Sequence, residues 1–267
     1  MNNTLISRYM TFSTGVIAIL VTVASLLGLF TASPYVLETE NWRLQAQGQD
    51  IGNLIGVVVL VISVLLARKG SFRAYLVWLG TLFYLLYAYI IYAVAVHFNS
   101  LFLIYVSILG LAIFTLIFAL TRQQVAFEAT KVKAVKLASY TLIAIGVLFG
   151  LLWLGEIIPA LISGDVPKST QDAGLWVNPV YVIDLSTVIP GFFITGYLAL
   201  KNKRTGKLFL APWLMFSALM GGSIVAAMLL MLTKGYASTI PPMVMVSAVV
   251  LVSTVSLTKY LKTVASK

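Results

Sequence analysis

Long apolar runs separated by short polar turns dominate the chain. Eight of these runs lie near the roughly 20 residues that an α-helix needs to cross a bilayer. A helix satisfies its own backbone hydrogen bonds, so it is favoured over a barrel for continuous apolar runs. The sequence therefore predicts an all-α integral membrane protein, a single domain over residues 1–267 with eight transmembrane helices. The predicted spans are 12–31, 51–67, 74–96, 101–120, 137–162, 179–200, 208–232 and 240–257.

Composition agrees with this pattern. Hydrophobic residues make up 60% of the chain and charged residues 10%, whereas a soluble domain carries about 25% charged residues. Too little polar surface is left to cover the apolar residues in water, so a bilayer must solvate them. The first run is expected to be a retained span, because its apolar core of about 20 residues exceeds the roughly 7–15 of a signal peptide.

Basic residues separate the two sides of the predicted bundle. If the N-terminus is cytoplasmic, only Arg43, Lys168 and Lys234 of the 18 basic residues fall outside. This asymmetry follows the positive-inside rule and predicts a multi-pass protein of the cytoplasmic membrane with both termini in the cytoplasm. The net charge of +10 is then explained by contacts with anionic headgroups, and no nucleic-acid partner is expected.

The loop plan of the first four spans recurs in the last four. In each half a long outer loop, a basic inner turn and a short outer turn follow one another. A 4+4 parallel pseudo-repeat is therefore predicted, a symmetry that some transporters use. Its halves are residues 1–120 and 137–267. The basic cytoplasmic segment 121–136 that joins them is expected to lie on the membrane as an amphipathic helix.

Two carboxylates lie inside apolar runs. Glu156 is six residues before the end of the fifth span and Asp184 is five residues after the start of the sixth. At 1.5 Å per residue, both are about 7–9 Å below the outer surface. Ionisable groups at this depth are costly and are functional by default. The alternative is a structural polar contact between the two helices.

Other polar residues share that level and predict an outward-facing pocket between spans two, three, five and six. Asp50 and Asn53 open the second span, His97 closes the third, and Tyr181 opens the sixth. Simpler interpretations are available for two of them: Asp50 as a helix N-cap and His97 as the cap of an exposed turn.

Proline and glycine predict local helix geometry near these acids. Pro159 and Pro190 can kink their helices and open a cavity. The pair Gly146 and Gly150, like Gly221-Gly222, favours close helix packing.

The residue types present narrow the chemistry. The chain has no cysteine and one histidine, His97, which argues against cysteine-ligated metals and multi-histidine sites. No metal and no cofactor are predicted, and neither Gly-x-Ser-x-Gly nor His-Glu-x-x-His occurs. The sequence thus favours a transporter-like or small-ligand-binding protein over an enzyme, with the bilayer and a small-molecule or lipid ligand as partners. A membrane-embedded enzyme for a lipid or lipid-linked substrate, and a non-catalytic subunit or scaffold, are the alternatives.

Overall fold

The computed structural model describes residues 5–31, 33–122, 127–129 and 131–266. It is all-α, with 85% of residues in helices. Within these described ranges, eight helices or helical spans are long and apolar enough to cross a membrane. The prediction of a polytopic membrane protein with eight transmembrane helices is confirmed.

In the described residues nine α-helices build the spans, and a tenth, α6, lies in the connection between the fifth and sixth spans. The sixth span, Pro179–Leu200, consists of α7, a π-helical turn at Asp184–Val188 and α8. Short 3₁₀ turns at Ser33–Tyr35 and Ala237–Thr239 precede α2 and α10. Two short strands, β1 (Phe127–Ala129) and β2 (Val264–Ser266), pair antiparallel. The helices are α1 (Arg8–Phe30), α2 (Glu40–Arg68), α3 (Phe72–Ala95), α4 (Phe102–Arg122), α5 (Val132–Ser163), α6 (Lys168–Asp172), α7 (Pro179–Ile183), α8 (Ile189–Leu200), α9 (Arg204–Thr233) and α10 (Ile240–Leu261).

Helix α2 begins eleven residues before the predicted start of the second span. Its N-cap is Thr39, whose hydroxyl accepts a hydrogen bond from the Trp42 backbone N–H at 3.2 Å. The first turns of α2 pack inside the bundle, where Trp42 and Leu44 are buried. Asp50 therefore lies in the interior of the helix, and its interpretation as an N-cap is wrong.

The segment 121–136 also differs from its prediction. Its described part contains strand β1 and the beginning of α5, which starts at residue 132. Residues 123–126 and 130 lie outside the described part of the chain. The pairing of β1 with β2 brings this segment to the C-terminal end of the chain, so one amphipathic surface helix does not account for it.

The same order of neighbours recurs in both halves of the bundle. In the first half, α1 packs on α2, α2 on α3, α3 on α4 and α4 on α1; in the second, α5 packs on α8, α8 on α9, α9 on α10 and α10 on α5. Helix α9 also packs on α2 and α3 and joins the halves. A symmetry relation between the halves stays a prediction.

Close backbone contact between α2 and α9 forms the centre of the junction. A Cβ atom added at Gly48 would lie 2.2 Å from the Ala227 Cα, and one at Gly52 would lie 2.3 Å from the Ser223 Cβ. Small residues at such positions let membrane helices approach closely. The junction therefore depends on glycine at both positions of α2.

The two ends of the bundle differ in charge. Helices α1, α3, α5 and α9 lead into the connections at one end of the bundle, which we call the acidic end because Glu38, Asp165 and Asp172 lie there. Helices α2, α4, α8 and α10 end at the opposite, basic end. There the C-terminal strand is held by the Arg73 Nε, which donates to the Val264 carbonyl at 2.9 Å.

Candidate functional site

A cavity of about 620 Å³ lies between the two halves of the bundle. Helices α2, α3, α5, α9 and α10 and the sixth span all contribute to its wall. Loop residues Ser169, Asn178 and Ser238 line it at the acidic end. Its volume falls within the roughly 300–1,000 Å³ of small-molecule sites.

Amide side chains line the wall that α2 provides. Asn41, Gln45 and Gln49 face the cavity because residues four apart lie on one face of a helix. The Gln45 Nε2 donates to the Asn41 Oδ1 at 2.6 Å. Together they form an uncharged polar stripe that leads from the acidic end toward the bundle interior.

Gln49 is fixed by three neighbours. Its Nε2 donates to the Tyr84 hydroxyl at 2.7 Å and to the Asn53 Oδ1 at 3.1 Å. Its Oε1 accepts from the Ser223 Oγ of α9 at 3.1 Å. Asn53 is fully buried behind this wall and does not line the cavity, so its part is to hold Gln49 in place.

Asp184 is the most enclosed acid in the cavity wall. Its side chain is mostly buried, with 9% of the residue exposed. The Trp153 Nε1 of α5 donates to its Oδ2 at 2.7 Å, and Tyr87 of α3 also interacts with it. The carboxylate is thus held between α3 and α5 by neutral groups.

The π-helical turn that begins at Asp184 has a local cause. The Ile189 N–H bonds to the Asp184 carbonyl, five residues back. Pro190 follows and has no N–H, and in a regular α-helix its ring would clash with the carbonyl four residues earlier. The wider turn avoids this clash. Such π-bulges are frequent at functional sites.

Glu156 lines the same cavity but is more exposed than Asp184. The Tyr181 hydroxyl donates to its Oε2 at 2.8 Å and lies 2.5 Å from the Ser169 hydroxyl. The rings of Tyr181 and Trp153 lie 5.2 Å apart, between the hydrogen bonds of the two acids. The structure therefore brings Glu156 and Asp184 to one cavity, each with its own donor.

The remaining wall is apolar. It consists mainly of aromatic rings and methionines from α5, the sixth span and α9: Phe149, Phe192, Phe216, Met220, Met228 and Met231. Methionine adapts to irregular shapes, and aromatic faces attract cations. This wall suits the apolar body of a ligand whose polar end meets the amides and acids.

Charge inside the cavity has one sign. Among the described residues that line it, Glu156, Asp172 and Asp184 are acidic and none is basic. Asp172 lies 3.1 Å from the Lys168 Nζ, whereas no ion pair in the described residues includes Glu156 or Asp184. Glu156 and Asp184 therefore give the cavity acidic groups that have no counter-ion within the described part of the chain.

Asp50 lies behind the cavity wall and is 1% exposed. Its Oδ2 accepts from the Tyr35 hydroxyl at 2.7 Å and its Oδ1 from the Tyr92 hydroxyl at 2.8 Å. A Cβ at Gly28 would lie 2.1 Å from the Oδ2, so α1 also closes on this carboxylate. Burial, together with the nearby Asp50 charge, raises the pKa of Tyr35 well above its ordinary value. Tyr35 therefore remains a donor.

His97 lies outside the cavity. It is exposed after the end of α3, where its backbone N–H donates to the Glu38 Oε1 at 2.7 Å and its Nδ1 lies 3.0 Å from the Oε2. The pair ties the loop before α2 to the loop after α3. His97 thus matches the interpretation as a turn residue, and the structure does not place it with the other predicted site residues.

Sequence reasoning missed Asn41, Gln45 and Trp153, and it identified Gln49 only as a polar residue beside the start of the second span. Asn41, Gln45 and Gln49 fall in a stretch predicted to be a loop. Their regular spacing of four residues is the signal that could have identified a polar helix face.

No family model matches the chain, and no curated protein or solved structure matches it.

Proposed function

We propose that this polytopic membrane protein binds a small organic cation in the central cavity and acts as a transporter-like binding protein, with Asp184 as the main recognition group. The observation that carries the proposal is that every charged residue among the described residues lining this largely apolar cavity is acidic. Asp184 and Glu156 face that cavity without a basic partner among the described residues. A bound ammonium group would supply the missing positive charge.

The shape of the cavity supports an amphiphilic cation. The carboxylate accepts from Trp153 on one oxygen, which leaves acceptor capacity for a ligand N–H. The rings of Trp153 and Tyr87 line the cavity close to it and can add cation–π attraction. The amide stripe provides donors and acceptors for hydroxyl or carbonyl groups, and the methionine and phenylalanine wall accepts the apolar part.

Orientation follows from charge. We assign the basic end to the cytoplasm by the positive-inside rule and the acidic end to the outside of the cytoplasmic membrane. The cavity then lies in the outer half of the membrane and takes its ligand from the outer side or the outer leaflet.

Interrupted helices support a transporter-like role. The sixth span is divided at Asp184 by the π-helical turn, and α5 contains Pro159 three residues after Glu156. Transporter sites are often formed where helices are discontinuous. Both acids thus lie at points where their helices can bend.

The experiment is a binding titration with ethidium, a fluorescent organic cation, on protein in lipid nanodiscs. We expect Asp184→Asn to weaken binding about 10- to 100-fold, because a hydrogen bond to a charged group contributes about 1.5–3 kcal/mol. Asp165→Asn makes the same change on the acidic-end loop outside the cavity lining and should leave affinity unchanged. A neutral phenanthridine of the same shape should bind wild type and Asp184→Asn alike. Equal affinity of Asp184→Asn and wild type for ethidium would refute the proposal.

A further inference from the structure

Asp50 is a buried acid that the proposed ligand site does not use. In the described residues no lysine, arginine or histidine forms an ion pair with it, and its two hydrogen-bond donors are neutral phenols. Burial opposes the ionised form, whereas the two donors stabilise it. The protonation state of Asp50 is therefore set by burial and by these two phenols, with no cationic partner among the described residues.

We propose that Asp50 is a proton-binding site that communicates with the central cavity through Tyr92. The inference goes beyond the proposed function, because it concerns a second site. It rests on the proposed function in one respect: a change at Asp50 would affect ligand binding only if the ligand binds in the central cavity.

Tyr92 connects the two sites directly. Its side chain lines the cavity, and its hydroxyl lies 2.8 Å from the Asp50 Oδ1 and 3.0 Å from the Ala46 carbonyl. A phenol has one hydrogen to donate, so it cannot satisfy both acceptors fully. Ionised Asp50 attracts that hydrogen, and protonated Asp50 releases it to Ala46. Because Ala46 also lines the cavity, the change reaches the wall beside the amide stripe.

An acceptor for the new proton is already present. The Ser25 Oγ is fully buried and interacts with Asp50, although it forms no hydrogen bond of ordinary geometry among the described residues. A protonated carboxyl could donate to the Ser25 Oγ, which ionised Asp50 cannot do. The titratable groups that face Asp50 are Tyr35, Tyr84, Tyr89, Tyr92 and Tyr105.

The test is infrared difference spectroscopy of the protein in lipid, with no ligand added, between mildly alkaline and mildly acidic pH. We expect acidification to produce the C=O band of a buried carboxylic acid that Asp50→Asn lacks. Asp165→Asn, which removes an exposed acid, should keep this band. If Asp50→Asn retains the band, or if wild type shows none that this variant removes, Asp50 does not exchange protons.

Tyr92→Phe tests the connection between Asp50 and the cavity. It also provides a second variant that can be measured if Asp50→Asn does not fold. It should keep the carboxyl band but produce it at higher pH than wild type, because the ionised form of Asp50 loses one of its two hydrogen-bond donors. A tyrosine band that changes with pH in wild type should be absent from Tyr92→Phe. A carboxyl band that appears at the same pH as in wild type, together with an unchanged tyrosine band in Tyr92→Phe, would refute the coupling. Since no ligand is used, these results are independent of the ethidium titration.

Discussion

The close contact of α2 and α9 can be tested by adding one methyl group. In Gly48→Ala the new Cβ would lie 2.2 Å from the Ala227 Cα and 2.3 Å from its N. Ordinary van der Waals contact begins at 3.4 Å, so the methyl group is about 1.2 Å too close. The atoms it meets are backbone, which cannot rotate away, and the two helices must therefore move apart.

Gly222→Ala on α9 provides the matched control. A Cβ there meets nothing within 4 Å, and both glycines are in helix interiors. Alanine improves helix propensity by about 1 kcal/mol at either position, so this gain cancels in the comparison. Overpacking costs about 1–3 kcal/mol. We expect Gly48→Ala to have a free energy of unfolding about 1–3 kcal/mol lower than Gly222→Ala.

Reversible unfolding in mixed micelles, with increasing sodium dodecyl sulfate and circular dichroism as the signal, measures this difference. Both variants should elute as single species before unfolding, so that the comparison is between folded proteins. A Gly48→Ala protein that is as stable as Gly222→Ala, or more stable, would show that α2 and α9 are not in backbone contact. The packing of α2 against α9, which forms one wall of the cavity, would then differ from the one described above.

Two further predictions concern the loop before α2 and the orientation of the chain. Tyr35→Phe removes a donor to Asp50, and the mixed-micelle assay should show a loss of about 1.5–3 kcal/mol if the carboxylate is ionised. Because burial raises the pKa of Tyr35 above its ordinary 10.0, its contribution is complete below that pH and is lost as pH rises. As the pH rises above 10, the free energy of unfolding of Tyr35→Phe should therefore fall less than that of wild type. An equal fall in both proteins would contradict the hydrogen bond from Tyr35 to Asp50. The chain has no cysteine, so an impermeant maleimide added to intact cells should label Ser238→Cys and not Lys203→Cys; the reverse pattern would invert the orientation.

Hydropathy predicted the number of spans because each helix exposes apolar side chains to lipid over most of its length. It failed at the start of α2, where one face carries Asn41, Gln45 and Gln49 toward the cavity. A polar face lowers the average hydropathy of a segment even when that segment is helical and partly buried. The boundary was placed at the first apolar run, and Asp50 was interpreted as a cap for that reason.

Close approaches between helices were harder to predict than the helices themselves. Gly146 and Gly150 were expected to allow tight packing, but Cβ atoms there would meet only side chains, at 3.3 and 3.9 Å. Gly221, for which close packing was also predicted, does make a tight contact, whereas on α2 the tight contacts occur at Gly48 and Gly52. Both pairs have the same spacing, so the spacing does not reveal which face of the helix meets a partner. Helix rotation decides it, and rotation depends on the whole bundle.

The same limit applies to the acids. Equal depth on sequential spans indicated that Glu156 and Asp184 lie near each other, and both line one cavity. Depth could not show which side chain each acid accepts from, because Trp153 and Tyr181 reach the carboxylates only for particular helix rotations. Depth along the membrane normal is enough to predict a pocket in this region, whereas its hydrogen bonds also depend on the positions and rotations of the helices.

Neutral donors distinguish the acids of this bundle from structural ion pairs. A buried carboxylate paired with arginine or lysine has its charge compensated within the protein, and a cationic ligand would gain little by approaching it. Asp184 and Asp50 are instead held by indole and phenol groups, which fix the position of each carboxylate and leave its charge in place. That arrangement costs stability, since burying an uncompensated charge is unfavourable. The cost is accounted for if a positive charge arrives from outside the chain: an organic cation at Asp184, which lines the cavity, and a proton at Asp50, which lies behind the cavity wall.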